Sequence, residues 1–394
     1  MDGARRTLLI VTGALLSIGM VMVYSASFVL ADKSKDNPTY FLEHHAVYLV
    51  LGCVALAVTS VTDYHRLARH WKWFIGAALL LLAAVLVPGL SIRLNGARRW
   101  FMLGGLTFQP SEAVKPLMIA GLAGWIVHAR EKIETFSRGF LPAVLLAGSA
   151  VLLMAVEPDM GSAGLIAIVL CAMLFVGGIR LRYAVPAVLI LLPLALLLAY
   201  TKLGYIRARI EDFAYGTADP RGAGYQNIQA LMALGNGGVA GTGVGQGHSK
   251  LLYLPEAHND FIFALIGEEL GLIGALIVLA LFAIFVIQGC RVARRAPDML
   301  GTLIALGVTL CIGVQAAINV AVVTRSMPNK GIALPFISYG GSALIFMLAC
   351  VGMLLNVAAH PACDLVESSA GATPRKSLWS RLGFAPGVKI KASA

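Results

Sequence analysis

Long blocks of apolar residues organise this chain, with little strict alternation and few narrow amphipathic stripes. A helix needs about 20 such residues to cross a bilayer. Read for blocks of that size, the sequence offers ten candidate spans: 8–30, 44–61, 73–91, 111–129, 140–157, 161–178, 184–201, 259–290, 299–324 and 340–359. A membrane barrel would instead repeat alternating segments of about ten residues, and none is present. The pattern predicts an all-α integral membrane protein, a polytopic bundle of about ten transmembrane helices occupying residues 1–360. An even number of spans places both termini on one side.

The connections differ in kind. Residues 31–43 make a short polar loop, 92–110 a longer one and 325–339 the last on that side. The connection between spans seven and eight, about 202–258, is too long for a plain connector and reads as functional or partly helical. Within it, Tyr225–Leu234 has helical spacing. From 361 to 394 the chain is rich in Ser, Ala, Gly, Pro and basic residues, the composition of a disordered tail.

Composition agrees: 58% of residues are hydrophobic, 13% are charged, and mean hydropathy is +0.81. A soluble domain carries about 25% charge. Lys and Arg orient the bundle, because they accumulate in short cytoplasmic loops. Arg5 and Arg6 precede the first span; Arg66, Arg69 and Lys72 follow the second; Arg130, Lys132 and Arg138 the fourth; Arg180 and Arg182 the sixth; Arg291, Arg294 and Arg295 the eighth. Every even connection is basic, so that side is cytoplasmic, as are both ends, and the expected location is the cytoplasmic (inner) membrane. The first apolar stretch exceeds the 7–15 residues of a cleaved signal core and reads as a retained anchor. A net charge of +11 is scattered over span ends, where it meets anionic lipid, so it does not indicate nucleic acid. Six cysteines fall in spans or on the cytoplasmic side, with no CxxC spacing for zinc.

Against that background the outward-facing cations stand out: Arg93, Arg98 and Arg99; Arg207, Arg209 and Arg221; Lys250, Arg325 and Lys330. Some are solvated loop charges. Their clustering in three loops also suits an anionic substrate, since Arg grips phosphate bidentately and Lys as a point charge. Glu112 and Lys115, at i and i+3 near the start of the fourth span, share a helix face and can pair; a structural ion pair and a catalytic role fit equally. Ser111 is the expected N-cap there. The turn Glu157-Pro158-Asp159 can cap the next helix or help hold a cation, although one turn alone is no metal site.

The densest signal runs from Gly235 to Asp260, seven glycines in 235–247 followed by Glu256, His258 and Asp260 directly before a span. A dinucleotide reading of the glycines fails, because no strand–turn–helix unit surrounds them. A mobile loop and a cradle of backbone N–H groups for pyrophosphate remain open. Asn259 or Asp260 reads as an N-cap. A carboxylate at a helix start also stays ionised and can take a proton from a hydroxyl nucleophile.

The segments MVYSAS (22–27), NGARRWF (95–101), QPSEAVKP (109–116), EPDMG (157–161), LPEAHNDFIF (254–263) and NKGIALPFISYGGS (329–342), in this order, resemble the SEDS family (shape, elongation, division and sporulation) over all but the tail. Lys330-Gly331 and MVYSAS resemble its FtsW, or division, branch more than its RodA branch. The resemblance implies a peptidoglycan glycosyltransferase that polymerises lipid II at the outer membrane face during septal wall synthesis. Asp260 matches the family's aspartate and would be the base for the acceptor's GlcNAc 4-hydroxyl. That oxygen would attack the donor's MurNAc anomeric carbon, with inversion to a β-1,4 bond and loss of undecaprenyl pyrophosphate. Arg98, Arg99 and Lys330 would hold pyrophosphate; Glu112 and Lys115 would shape the cavity, with His258 and Ser338 also on the substrate side. A divalent cation, magnesium or manganese, a class B penicillin-binding transpeptidase and other divisome membrane proteins at the septum are the implied cofactor and partners. Asn259 and Asn329 stand where the family commonly has Thr. A lipid II flippase and a non-catalytic division scaffold are the rival readings. A flippase calls for charge deep in the spans or on both faces, and a scaffold has no need of Asp260.

Overall fold

The structure, a computed structural model, describes residues 2–94, 97–180, 182–187, 189, 223–248 and 258–360, with the single positions 204, 207, 209, 211, 213 and 254. The tail 361–394, most of the span expected at 184–201, and the side chains of Arg93 and Arg98 lie outside them, as do Arg221, Lys250 and Glu256. Helices occupy the other nine expected spans: α1 (Asp2–Lys35), α2 (Tyr40–Val61), α4 (Trp71–Leu86), α5 (Pro110–His128), α6 (Leu141–Val156), α7 (Met160–Val176), α9 (Ile262–Arg295), α10 (Met299–Val323) and α11 (Ser342–Ala359). A short α3 (Tyr64–Arg69) and α8 (Ala223–Gly237) complete the set described. Among the described residues six helical segments are long and apolar enough to cross a membrane, and two shorter apolar ones accompany them. The helical spacing read at 225–234 is α8.

Helix α5 is the axis of the bundle. Sixteen of its nineteen residues are buried, Glu112 and Lys115 among them, because α4, α7, α10 and α11 surround it. A span enclosed by protein can carry charge that lipid would reject. Around it the core runs through Leu122, Ile166, Ile304 and Leu354, all fully buried or nearly so. Lipid-length α9 instead leaves Leu272, Ile273, Leu276 and Ile277 exposed along its side.

Three expectations change. Residues 92–110 are no simple loop: β1 (Ile92–Leu94), β2 (Ala97–Leu103) and β3 (Leu106–Phe108) form an antiparallel sheet in that order. Leu94 pairs with Ala97 and Leu103 with Leu106, and Gly104-Gly105 make a two-residue turn between the second pair. Gly104 and Gly105 both have positive φ, +57° and +86°, the geometry such hairpin turns need. Ser111 does not cap α5; Gln109 is the N-cap, with Pro110 opening the helix, and the Ser111 hydroxyl donates to Asp159 Oδ2 at 2.9 Å. Neither Asn259 nor Asp260 caps α9, whose N-cap is Phe261, because 258–261 form a turn and the helix begins only at Ile262.

The helices alternate between two ends. At one end Tyr64, His65, Asp298 and His360 join the basic connections: His65 bridges Asp63 and Asp298, each at 2.8 Å. The other end gathers the starts of α5, α7, α9 and α11.

A candidate active site at the end opposite the basic connections

At that second end the chain encloses a cavity of about 340 Å³, within the ordinary range for ligand sites. It is lined by Arg99 and Trp100 from β2, Gln109 and Glu112 from α5, Asp159 and Ser162 from the α6–α7 turn, Arg209, Asn259 and Asp260 before α9, and Gly331–Ala333 and Tyr339–Gly341 from the α10–α11 loop. Six separate stretches of sequence, up to about 240 residues apart, therefore meet around one volume.

Asp260 is held by its main chain: Asn319 of α10 donates Nδ2–H bonds to Asp260 O and to Ile332 O, each at 2.8 Å. One amide thus ties the turn before α9 to the loop before α11. The carboxyl group lies so close to Gly331 that a Cβ there would sit 2.8 Å from Oδ2, so any larger residue would displace the carboxyl. One turn of α10 earlier, Gln315 donates to Ala333 O at 2.9 Å and accepts from Lys115 Nζ at 2.9 Å. Lys115 also pairs with Glu112 Oε1 at 2.7 Å. This buried polar column, Glu112–Lys115–Gln315 and Asn319, supports the cavity floor, and its net ionic content is one paired charge of each sign. Asn319 and Gln315, polar residues four apart in an apolar span, carried a legible signal that the sequence reading left unused.

Asp159 accepts from Ser162 N as the N-cap of α7, from Ser111 Oγ and from Gln109 Nε2 at 3.2 Å. Arg99 donates Nε–H to Glu157 O at 3.1 Å and a terminal N–H to Pro158 O, so two main-chain carbonyls anchor it. Glu157 itself is 1% exposed, and neither of its carboxyl oxygens has a hydrogen-bond partner among the described residues. Burial first, then the Asp159 charge, push its carboxyl up to about 8, against an opposing pull from Arg99.

The remaining expected residues fall as follows. His258 is buried, its ring tilted against those of Phe41 and Tyr339, and its carbonyl accepts from Tyr339 N at 2.9 Å; it stands behind the cavity wall. Ser338 accepts from Leu334 N at 2.8 Å, shaping the loop whose next residues line the cavity. Lys330 is half-buried beside Gly331, against the Met160–Gly161 start of α7, with its Cβ 3.8 Å from where a Gly161 Cβ would stand. Arg98 belongs to β2, paired through its main chain with Arg93. Asn329, in place of Thr, donates to Gln226 of α8 at 3.0 Å.

The residues present do not make a cation cage. Among those described, no three His, Cys, Asp or Glu side chains gather as a metal site; Asp159 is committed to Ser111, Gln109 and Ser162, and Glu112 to Lys115. The glycine-rich segment is no phosphate cradle either. Its N–H groups from Thr242, Gly243, Gly245 and His248 are directed at Glu268 and Glu269, and the glycines are required because two backbones touch.

Comparison with known proteins matches residues 6–362 to a family model described as cell cycle protein, covering FtsW, RodA and SpoVE. A protein from Geobacter metallireducens described as a probable peptidoglycan glycosyltransferase FtsW is 41% identical over 350 residues, 89% of this chain and 93% of that one. Stage V sporulation protein E of Bacillus subtilis is 40% identical over 355 residues, 90% and 96% of the two chains. Among solved structures, a chain of a peptidoglycan synthase complex that coordinates polymerization and crosslinking superposes with a TM-score of 0.74 at 27% identity, covering 89% of this chain and 96% of that chain. The rod shape determining protein RodA of Thermus thermophilus does so with 0.65 at 27%, covering 90% and 96%. Taken with the helical bundle and its cavity, these matches mean that the chain belongs to the FtsW/RodA/SpoVE family of cell cycle proteins, the SEDS family.

Proposed function

We infer that this protein is a peptidoglycan glycosyltransferase of the division type, polymerising lipid II at the outer face of the cytoplasmic membrane. The observation that carries it is the convergence of the Asp260 carboxylate, with Arg99 and Arg209, on one cavity at the end away from the basic connections, where Glu112 and Asp159 are already engaged by Lys115 and Ser111. A lipid-linked sugar pyrophosphate has chemistry for both: a hydroxyl to deprotonate and phosphates to hold.

Asp260 takes the proton of the acceptor's 4-hydroxyl as that oxygen bonds to the donor's anomeric carbon. The bond from that carbon to the pyrophosphate breaks, and undecaprenyl pyrophosphate carries away the electron pair. General-base assistance of this kind contributes about 10²–10⁴-fold. Arg99, held by two carbonyls, keeps its charge for the phosphates, and Lys330 approaches from the opposite loop. The family resemblance also assigns Arg98, which precedes Arg99 in β2, to the phosphates. The absence of a side chain at Gly331 leaves room for the Asp260 carboxyl, and Asn319 fixes the main chain that carries it. Among the described residues no three His, Cys, Asp or Glu side chains gather as a cage for a divalent ion, and the steps above are carried by the chain's own side chains. A class B penicillin-binding transpeptidase, divisome membrane proteins and a septal location fit this reading.

The test is polymer formation from labelled lipid II by the full chain purified with its cognate transpeptidase. Asp260→Ala is expected to lower the rate at least about 10²-fold with the protein still folded. A wild type that only moves lipid II across vesicles supports a flippase, and polymer made by Asp260→Ala removes the base assignment. Chelation by EDTA, run in parallel, decides whether an ion travels with the substrate.

A further inference from the structure

Glu268 and Glu269 are 0% and 1% exposed, and the reaction derived above uses neither. They lie two turns into α9, where Gly271 adopts φ +68° and ψ −169° and breaks the helix. An unbroken helix would bond the carbonyls of Glu268 and Glu269 to the N–H groups of Leu272 and Ile273. Here both halves of that exchange go to the glycine-rich loop. Thr242 N donates to Glu268 O at 2.9 Å and Gly243 N to Glu269 O at 3.0 Å, while Leu272 N donates to Gly238 O at 3.0 Å and Ile273 N to Val239 O at 3.3 Å.

The loop is thus threaded into the gap in α9. A Cβ at Gly241 would stand 2.2 Å from Glu269 O, and one at Gly271 2.3 Å from Gly241 N. The two side chains close the joint from outside. Glu269 accepts the Ser25 hydroxyl of α1 at 2.6 and 2.8 Å and Gly245 N–H at 3.0 Å. Glu268 accepts His248 N–H at 2.9 Å. From His248 the chain has only twelve residues to reach Asp260. On the other side, α8 leads from this joint to Gln226 and its bond with Asn329, the neighbour of Lys330.

We propose that Glu268 and Glu269 are positioning residues for glycan polymerisation, which lock the glycine-rich loop into the broken helix α9 and thereby fix Asp260 from one side and Lys330 from the other. The inference rests on the glycosyltransferase reading above. A misplacement of about 1 Å in a catalytic group costs on the order of 10²-fold, so a joint that sets two such groups acts on turnover more than on substrate capture.

The test combines polymerisation kinetics with hydrogen exchange at the amides of Thr242, Gly243, Gly245 and His248, using the full chain with its transpeptidase. Glu269→Ala is expected to lower kcat by about tenfold to a hundredfold, with KM for lipid II nearly unchanged and faster exchange at those amides. Glu268→Gln keeps an acceptor for His248 N–H and restores turnover to near the wild-type rate, where Glu268→Ala does not. Ser25→Ala removes only a hydroxyl, leaves the fold intact and lowers kcat by about threefold, which keeps the test open if Glu269→Ala does not fold. Asp260→Ala abolishes turnover without altering exchange. Wild-type kinetics in Ser25→Ala and Glu269→Ala, or unchanged exchange in both, overturn the inference while an active wild type preserves the enzyme reading. A wild type that makes no polymer overturns the enzyme reading and this inference with it.

Discussion

Glu157 and Arg99 form a pair whose charges are deliberately unequal at neutral pH. With its carboxyl raised to about 8 by burial and by Asp159, Glu157 is neutral, and Arg99 keeps its positive charge toward the cavity. A folded-state value above the ordinary one means stability is greatest below about 4.5 and is lost as pH rises to about 8. Thermal stability in detergent is expected to fall across that window, and Glu157→Gln to flatten the fall and gain up to about 3 kcal/mol at pH 7. Polymerisation should decline above about pH 8 in the wild type, as the new carboxylate draws on Arg99, and decline less in Glu157→Gln. Lys115 gives the converse case. Buried at 1% and bonded to both Glu112 and Gln315, it neutralises a carboxylate that has nowhere else to turn. Lys115→Met should cost about 3–5 kcal/mol, read as lost thermal stability, and adding Glu112→Gln should recover most of it. The spacing of Glu112 and Lys115 was legible as a pair; that Lys115 would meet Gln315, two hundred residues away, was not, because contact across helices leaves no mark in local spacing.

At the scale of elements, the hairpin 92–108 was overlooked although its turns were written plainly. Asn95-Gly96 and Gly104-Gly105 are dipeptides of the hairpin-turn type, each flanked in the sequence by apolar or small residues, a strong hairpin pattern. The apolar blocks dominate such a sequence and draw attention from a short polar connection. Gly105→Val is expected to cost about 1–2 kcal/mol locally through its positive φ. Because β2 carries Arg99, the effect should appear chiefly as a raised KM for lipid II. The break in α9 illustrates the opposite limit. Gly271 inside GEELGLIG has the look of an ordinary helical glycine, and only the loop that enters beside it reveals why a side chain cannot stand there.

For the whole molecule, alternation of the helix ends places the hairpin and cavity opposite the basic connections. A membrane-impermeant thiol reagent applied to intact cells should therefore label Met102→Cys, exposed in β2, and not Lys132→Cys, exposed between α5 and α6. The reverse labelling would turn the protein over and remove the outer-face reading. The sequence by itself determined the class of protein, nine of the helices to within a few residues, the paired charges of α5 and Asp260 as the carboxylate at a helix mouth. Apolar block length and residue spacing are local properties, and the bilayer imposes them span by span. Only the tertiary structure decided where the glycines go and what Asp159, Ser338 and His258 do. It also decided which amides hold Asp260. Those outcomes depend on hydrogen bonds between distant stretches, where each buried donor takes whichever acceptor the packing brings within reach.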